Sequence, residues 1–190
     1  MNGKKENSPK ISIFEIQYGT SVGIHSDLLA INKFVFTPCG FKGSELQIEP
    51  QNAKYGAYIF KLDNVYVRFR VSKITPTKVG QFVTLWERIG DGPIQPYDIS
   101  DPVDLFIITT RKDNNFGQFI FPKSVLCDQD IVSNLGKGGK RGIRVYPPWD
   151  KPTSRLAQKT QKWQQQYFLE IPLGKEIDRV RAKMLYHIEH

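Results

Sequence analysis

The sequence predicts a single layered α/β (α+β) domain in which a mixed central β-sheet is flanked by helices. Helical patterns occur near both ends of the chain, and segments with a two-residue alternation lie between them. Apolar residues make up 39% of the 190 residues, which is enough to fill one core. Residues 1–10 form a polar leader with little to bury, so we assign the domain to residues 11–190.

The N-terminal half contains one predicted helix and one predicted hairpin. Ser26 has the side chain of an N-cap, and the helix that begins there is expected to end before Pro38. Residues 57–62 and 65–72 alternate in hydropathy on either side of an Asp-Asn pair that tolerates positive φ. This pattern predicts a β-hairpin.

The second strand of this hairpin is expected to have two different faces. Its valine and phenylalanine residues would face the core, while Tyr66, Arg68 and Arg70 would form a basic, aromatic-bearing surface. Residues 81–86 predict the next strand, and residues 91–102, rich in Gly, Pro and Asp, predict a loop.

Further segments complete the predicted sheet and its helical cover. Residues 103–110 and 118–121 have apolar residues on both alternating faces, which is typical of central strands. Residues 143–146 predict another strand, and a helix is predicted from Thr153 or Ser154, either of which could cap it, to Leu169. The apolar stripe of that helix consists of Leu156, Thr160, Trp163 and Tyr167. A terminal amphipathic helix carries Ile177, Val180, Met184, Leu185 and Ile188.

Positive charge is concentrated in two windows of the chain. The net charge is +8, and residues 64–86 contribute +4 while residues 131–169 contribute +7. A segregated positive field is what a polyanion partner requires, so we expect nucleic-acid binding; a basic surface without a ligand is the alternative. The predicted interface consists of Tyr66, Arg68, Arg70, Lys73, Lys78, Lys137, Lys140, Arg141, Arg144, Trp149, Arg155, Lys159 and Lys162.

Several other classes of protein and site are not supported by the sequence. No apolar run approaches the length of a membrane span and no signal core follows the start, so we expect a cytoplasmic protein without a membrane partner. Cys39 and Cys127 belong to no CxxC motif, and the histidines are separate, so neither a metal site nor a small-molecule cofactor is expected. Residues 136–142, GKGGKRG, lack the order of a Walker motif and predict a flexible basic loop.

Five strings between residues 55 and 168 resemble the MepB family. They are FRVSKITPTKVGQFVTLWER, DPVDLFIITTR, GQFIFPKSVL, GKRGIRVYPPWD and QKTQKWQQQYF. The resemblance implies a fold similar to the PD-(D/E)XK nuclease-like superfamily, also described as restriction-endonuclease-like. It also implies a role in handling nucleic acids, as an accessory protein encoded beside multidrug-efflux genes.

The nuclease motif that this resemblance implies is incomplete. Such a site needs an acid at the start of one central strand and, on the next strand, an acid two residues before a lysine. Asp104 fits the position of the first acid and Lys123 that of the lysine, but Phe121 occupies the position of the second acid. A role for Asp104 as a strand-start cap or as a partner of Lys123 is favoured over a role as a metal ligand. The motif therefore argues against enzymatic activity.

Three functions remain open at this point. The preferred one is a nucleic-acid-binding module, weakly sequence-specific and without a cofactor, that binds DNA or RNA. The second is an active nuclease that uses Mg²⁺ or Mn²⁺ and a relocated acid, for which Glu87 with Glu45 or Glu49 are the candidates. The third is a protein-interaction module for an acidic partner.

Overall fold

The structure, a computed structural model, describes residues 11–12, 23–49 and 56–187. Its strands are β1 (Ile11–Ser12), β2 (Glu45–Ile48), β3 (Tyr58–Leu62), β4 (Val65–Val71), β5 (Lys73–Thr75), β6 (Lys78–Thr84), β7 (Glu87–Arg88), β8 (Ile94–Gln95), β9 (Leu105–Lys112), β10 (Asn115–Pro122), β11 (Gly142–Val145) and β12 (Phe168–Glu170). Its helices are α1 (Ser26–Ile31), α2 (Thr37–Cys39), α3 (Lys123–Asp128), α4 (Arg155–Gln164) and α5 (Arg179–Tyr186). The predicted leader and Ile188 lie outside the described residues.

A seven-stranded mixed sheet forms the centre of the fold, in the order β1-β2-β3-β4-β9-β10-β12. Strands β4 and β9 run parallel, and the other pairs that the described residues form in this sheet are antiparallel. Two antiparallel pairs are hairpins with an Asp-Asn turn, where Asp63 and Asp113 have φ values of 52° and 53°. Aspartate tolerates this left-handed conformation, so the turn residues help to fix both registers. The predicted mixed α+β architecture is confirmed.

Apolar clusters cover both faces of this sheet. On β9, Leu105 and Ile107 belong to the cluster that includes residues of α1 and α5, whereas Phe106 and Ile108 belong to the cluster on the other face. All four side chains are fully buried. A strand that is covered on both sides has a continuous apolar sequence, which explains why this strand was predictable as a central one.

The second face of the sheet is covered by a smaller sheet and by α4. The smaller sheet has the order β11-β6-β5, so the strand predicted at residues 143–146 belongs to it. Val83 of β6 and Val145 of β11 are fully buried in the same cluster as Phe121. Trp163 of α4 packs on Phe121, with 5.3 Å between the ring centroids. A short β7-β8 pair extends into the loop predicted before β9.

The first helix differs from its prediction at both ends. His25 is the N-cap, because its Nδ1 accepts a 3.1 Å hydrogen bond from the Asp27 N–H, and Ser26 is already helical. At the other end, a π-helical turn continues the helix past Pro38 to Cys39. Pro38 lies in the first turn of α2, directly after the π-helical turn, so the helical hydrogen-bonding pattern changes next to the proline.

Helix α4 is shorter than predicted. It ends at Gln164, and Phe168 and Leu169 pair with β10 as part of strand β12. Both residues are buried in the two cores of the main sheet, which outweighs their fit to a helical pattern. Leu156, predicted for the core stripe, is 77% exposed, whereas Trp163 packs against the core. The predicted stripe is therefore wrong at its first position.

Helix α5 is amphipathic, but its inner face is not the predicted one. Ala182 and Tyr186 are buried, while Val180 and Met184 are exposed. The hydroxyl of Tyr186 accepts a 2.7 Å hydrogen bond from the amide of Gln118, which is fully buried. The tyrosine occupies the inner position because its oxygen satisfies a polar group that an aliphatic side chain would leave unpaired.

Candidate functional site

The two arginines on the predicted basic face of β4 are covered and not exposed to solvent. Arg70 is fully buried and the side chain of Arg68 is 14% exposed. Each guanidinium donates a 2.5 Å hydrogen bond to one oxygen of Glu49. The prediction that β4 exposes both arginines is wrong, because Glu49 and Tyr97 cover this face. Tyr66 does keep its exposure, with Lys61 Nζ 4.3 Å from its ring centroid.

Tyr97 and Glu87 complete this buried polar cluster. The Tyr97 hydroxyl accepts a 2.5 Å hydrogen bond from Arg70, and the Arg68 guanidinium lies 4.7 Å from the Tyr97 ring centroid. Burial raises the pKa of Tyr97 to about 12. Burial, and secondarily the charge of Asp101, raises the pKa of Glu87. Sequence reasoning missed Tyr97, since it is a single aromatic residue in a segment with the composition of a loop.

The three positions of the incomplete nuclease motif have other structural roles. The Asp104 carboxylate accepts a 2.8 Å hydrogen bond from the Tyr66 N–H, which is the strand-start role considered for it. Lys123 Nζ donates a 2.6 Å hydrogen bond to the backbone carbonyl of Asp101. Phe121 is fully buried in the apolar cluster beneath α4. These side chains are therefore engaged in the fold.

The acids considered for a relocated site do not assemble one either. Glu49 is paired with two arginines, and Glu87 lies 3.9 Å from Arg68. The side chain of Glu45 is outside the described part of the structure. Among the described residues, no three His, Cys, Asp or Glu side chains are grouped so that they could hold a metal ion. The residues present do not fit the Mg²⁺ site that the nuclease motif requires.

A groove of about 410 Å³ runs between β11 and α4. It is lined by Lys140, Arg144 and Lys159, three of the predicted cations. The rings of Tyr146 and Trp163 line the same groove. The structure thus brings together residues that the sequence predicted in separate segments, namely a loop, a strand and a helix.

A buried glutamine fixes α4 against β11. Gln164 Oε1 accepts a 2.9 Å hydrogen bond from the Tyr146 N–H, and its Nε2 donates to the Arg144 carbonyl at 3.0 Å. Since β11 is the edge strand of its sheet, this side-chain amide takes the place of a further strand. Gln161 also donates to the Asp150 carbonyl at 2.8 Å. The two Gln164 bonds hold the helix wall of the groove against its strand wall.

The β5-β6 hairpin orients two residues of the groove. Arg144 donates to the Gly80 carbonyl at 3.0 Å and to Thr75 Oγ1 at 2.7 Å. The Tyr146 ring lies against Gly80, where a β-carbon would stand 2.6 Å from the ring and where φ is 84°. Only glycine meets both conditions without strain. The positions of the Arg144 guanidinium and the Tyr146 ring are therefore set by the fold.

The predicted basic stripe of α4 is exposed. Arg155, Lys159 and Lys162 all face solvent. Lys159 lines the groove, and the other two lie about one helical turn to either side of it. The stripe therefore continues the positive charge of the groove along the helix.

The glycine-rich loop at residues 136–142 is anchored, in contrast to its predicted flexibility. Asp98 accepts a 2.6 Å hydrogen bond from the Ser133 hydroxyl and a 2.9 Å bond from the first N–H of the loop. These hydrogen bonds lower the pKa of Asp98. Asp130 accepts from the Gly139 N–H at 3.3 Å. The exposed cations of this loop are Lys137, Lys140 and Arg141.

The other predicted interface residues do not line the groove. Lys73 and Lys78 are exposed at the β5-β6 hairpin. Trp149 is half-buried, with its ring 5.5 Å from that of Phe168. Lys78 and Trp149 line a separate cavity of about 310 Å³. A binding role for these residues stays a prediction.

These features define a mixed α+β protein with a basic groove beside its smaller sheet, and the comparisons with known proteins agree with this fold. The MepB-like family model matches residues 49–170. A crystal structure of MepB is 34% identical in sequence with a TM-score of 0.66, covering 70% of this chain and 89% of that chain. The chain belongs to the MepB-like family. No curated protein matches it significantly.

None of the described helices is long and apolar enough to cross a membrane.

Proposed function

We propose that this protein binds nucleic acid through the groove between β11 and α4, with weak sequence specificity. The observation that carries the proposal is that Lys140, Arg144 and Lys159 line the same groove. Cations placed along a groove suit a row of phosphates, and each contact releases counterions from the polyanion. The protein would act in the cytoplasm on a nuclease-like scaffold that lacks a complete catalytic motif.

The charge of the surrounding segment supports this proposal. Residues 131–169 carry +7 and contain Asp150 as their one acid. Asp150 is buried and pairs with Lys112 at 3.2 Å. Its charge is therefore already compensated and does little to repel a phosphate. The attraction of the segment for a polyanion should decrease as salt screens it.

The apolar groups of the groove support contacts with bases. Tyr146 and Trp163 offer ring surfaces on which bases stack, while the neighbouring cations contact phosphates. Leu156 also lines the groove, and this large apolar side chain is 77% exposed instead of packing in the core. A base resting on this leucine would cover it. Single strands, whose bases are accessible, fit this arrangement better than duplexes.

The proposal is tested by a binding titration across salt concentrations. Fluorescence anisotropy would be measured with labelled single-stranded DNA, duplex DNA and RNA of equal length. We expect replacement of Arg155, Lys159 and Lys162 by Gln to reduce the slope of log affinity against log salt. The reduction should be about one unit for each phosphate that a removed cation had neutralised.

A matched triple variant separates local contacts from net charge. Lys33, Lys42 and Lys183 are exposed and do not line the groove, so their replacement by Gln changes the net charge equally. This control should keep most of the parent's slope. If both triple variants have the same slope as the parent, the α4 stripe does not contact the nucleic acid, and if the parent does not bind, the groove is not a nucleic-acid site.

The same titration addresses the remaining alternative of an acidic protein partner. A stable protein complex without nucleic-acid affinity would favour that alternative. The accessory role beside efflux genes, which the family resemblance implies, stays part of the proposal.

A further inference from the structure

A second cavity, of about 420 Å³, lies between α1, the β9-β10 hairpin and residues 171–179. Its walls include Phe34, Phe116 and Ile177. Phe116 and Ile177 belong to the core, but Phe34 is 44% exposed at the cavity. This volume and this apolar lining are those of a small-molecule site. The cavity shares no lining residue with the groove between β11 and α4.

Cations surround this apolar cavity. Arg111, Lys175 and Arg179 line it, and Glu176 is the one acid among its described lining residues. Glu176 pairs with Arg179 at 3.2 Å. Within the part of the chain that the structure describes, Lys175 has no ion-pair partner. The lining therefore carries excess positive charge beside an apolar surface.

Arg111 is held in place at the wall of this cavity. Its Nε and Nη2 both donate to Asp27 Oδ1, at 3.0 and 2.8 Å. Its guanidinium also stacks on the ring of Phe116 at 3.9 Å. Because the Arg111 side chain is still 43% exposed, the donors that do not contact Asp27 remain accessible to a ligand. A planar, positioned guanidinium is suited to a carboxylate or sulfonate.

We infer that this cavity binds a small amphipathic anion, with an apolar body against Phe34 and Phe116 and a carboxylate or sulfonate near Arg111 and Lys175. An uncharged apolar molecule would leave Lys175 without an ion-pair partner among the described residues, since Arg111 and Arg179 already pair with Asp27 and Glu176. An amphipathic cation would be repelled by the excess positive charge of the lining. The site is independent of the proposed nucleic-acid groove.

The inference is tested with the fluorescent probe anilinonaphthalene sulfonate on the full chain. The probe should bind, and decanoate, decanol and decyltrimethylammonium would compete for it. We expect decanoate to bind up to about fivefold more tightly than decanol, since one ion pair of an exposed cation contributes up to about 1 kcal/mol. The ammonium compound should compete least. Equal displacement by all three, or no binding of the probe, would overturn the inference.

Variants locate the binding to this cavity. Phe34→Ser should weaken both decanoate and decanol, whereas Lys175→Gln should reduce only the preference for decanoate, by about threefold. Both residues are exposed, so neither change should prevent folding. Ile89→Ser is the matched control, because Ile89 is 69% exposed and does not line the cavity. Unchanged binding in Phe34→Ser and Lys175→Gln would place the probe elsewhere and contradict the site.

Discussion

The hydroxyl of Tyr97 gives the protein a specific alkaline sensitivity. Burial raises its pKa from 10.0 to about 12, so the unfolded chain loses this proton at lower pH than the folded protein does. The contribution to stability is full below pH 10 and is lost as the pH rises towards 12. We expect Tyr97→Phe to show a smaller alkaline fall in the free energy of unfolding. At neutral pH it should lose roughly 1 to 3 kcal/mol, because buried Arg70 loses an acceptor.

Denaturant unfolding at a series of pH values checks both parts of this expectation. Tyr66→Phe is the matched control, since the Tyr66 side chain is exposed. Loss of its hydroxyl should barely change stability at neutral pH. A Tyr97→Phe protein with the parent's stability and the parent's alkaline fall would contradict the role given to this hydroxyl.

The arginines of β4 show what a residue pattern can and cannot predict. Alternation correctly placed Arg68 and Arg70 opposite the apolar residues of the strand. It could not predict that Glu49 and Tyr97, which are distant in sequence, cover that face. Whether the polar side of a strand is exposed depends on what packs over it. Composition near the strand does not contain this information.

Gln164 is the side chain on which the attachment of α4 depends. It is almost completely buried, and it satisfies the Tyr146 N–H and the Arg144 carbonyl. Gln164→Ala would remove both hydrogen bonds and leave backbone groups unpaired at the edge of β11. We expect a loss of roughly 2 kcal/mol in the free energy of unfolding. Thermal or denaturant unfolding would measure it.

The control for this change is Gln166→Ala, just beyond the helix. Gln166 is exposed, so its truncation should change stability by less than about 0.5 kcal/mol. Gln164→Ala should also weaken the proposed binding of nucleic acid in the groove, because α4 is no longer fixed against β11. Equal stability of the two variants would show that the glutamine bonds are not needed to attach the helix.

Elements with a clear local signal were the most predictable. Both β4 and β9 were expected close to their observed bounds, because turn residues and apolar runs mark them directly. The end of α4 is not predictable in this way, since Phe168 and Leu169 fit a helical pattern but pair with β10. The inner face of a short helix is likewise ambiguous when apolar residues occur on two stripes. Tertiary packing decides between them.

For the molecule as a whole, we expect no metal-dependent cleavage of DNA or RNA. Asp104 already accepts a backbone hydrogen bond, and Phe121 offers an apolar ring where a second carboxylate is required. One carboxylate retains Mg²⁺ poorly. The measurement is a cleavage assay with Mg²⁺ or Mn²⁺ on the parent, on Asp104→Ala and on Lys123→Ala.

Two outcomes of this assay are informative in opposite directions. If the parent cuts and either variant is inactive, a site with a relocated acid exists and our expectation is wrong. If the parent is inactive and Lys123→Ala only weakens binding, the lysine contributes to holding phosphate on a scaffold that does not cut.

The distribution of charge along the chain predicted one of the two basic regions better than the other. Residues 131–169 do supply an exposed groove, whereas half of the cations in residues 64–86 are covered. The interactions that make the difference are long-range, such as the bond between Arg144 and Gly80, which are 64 residues apart. No local pattern indicates which charged segments meet in space.

The parallel pairing of β4 with β9 has a consequence for the order in which the molecule forms. Parallel neighbours need a long crossover, and here residues 72–104 also provide β5 and β6 of the smaller sheet. Strand β11 pairs with β6 only when a still later part of the chain returns to this crossover. Closing such loops costs entropy before the contacts form. On the ribosome, the groove therefore cannot exist until synthesis has passed α4, so the proposed binding site is formed late in the making of the chain.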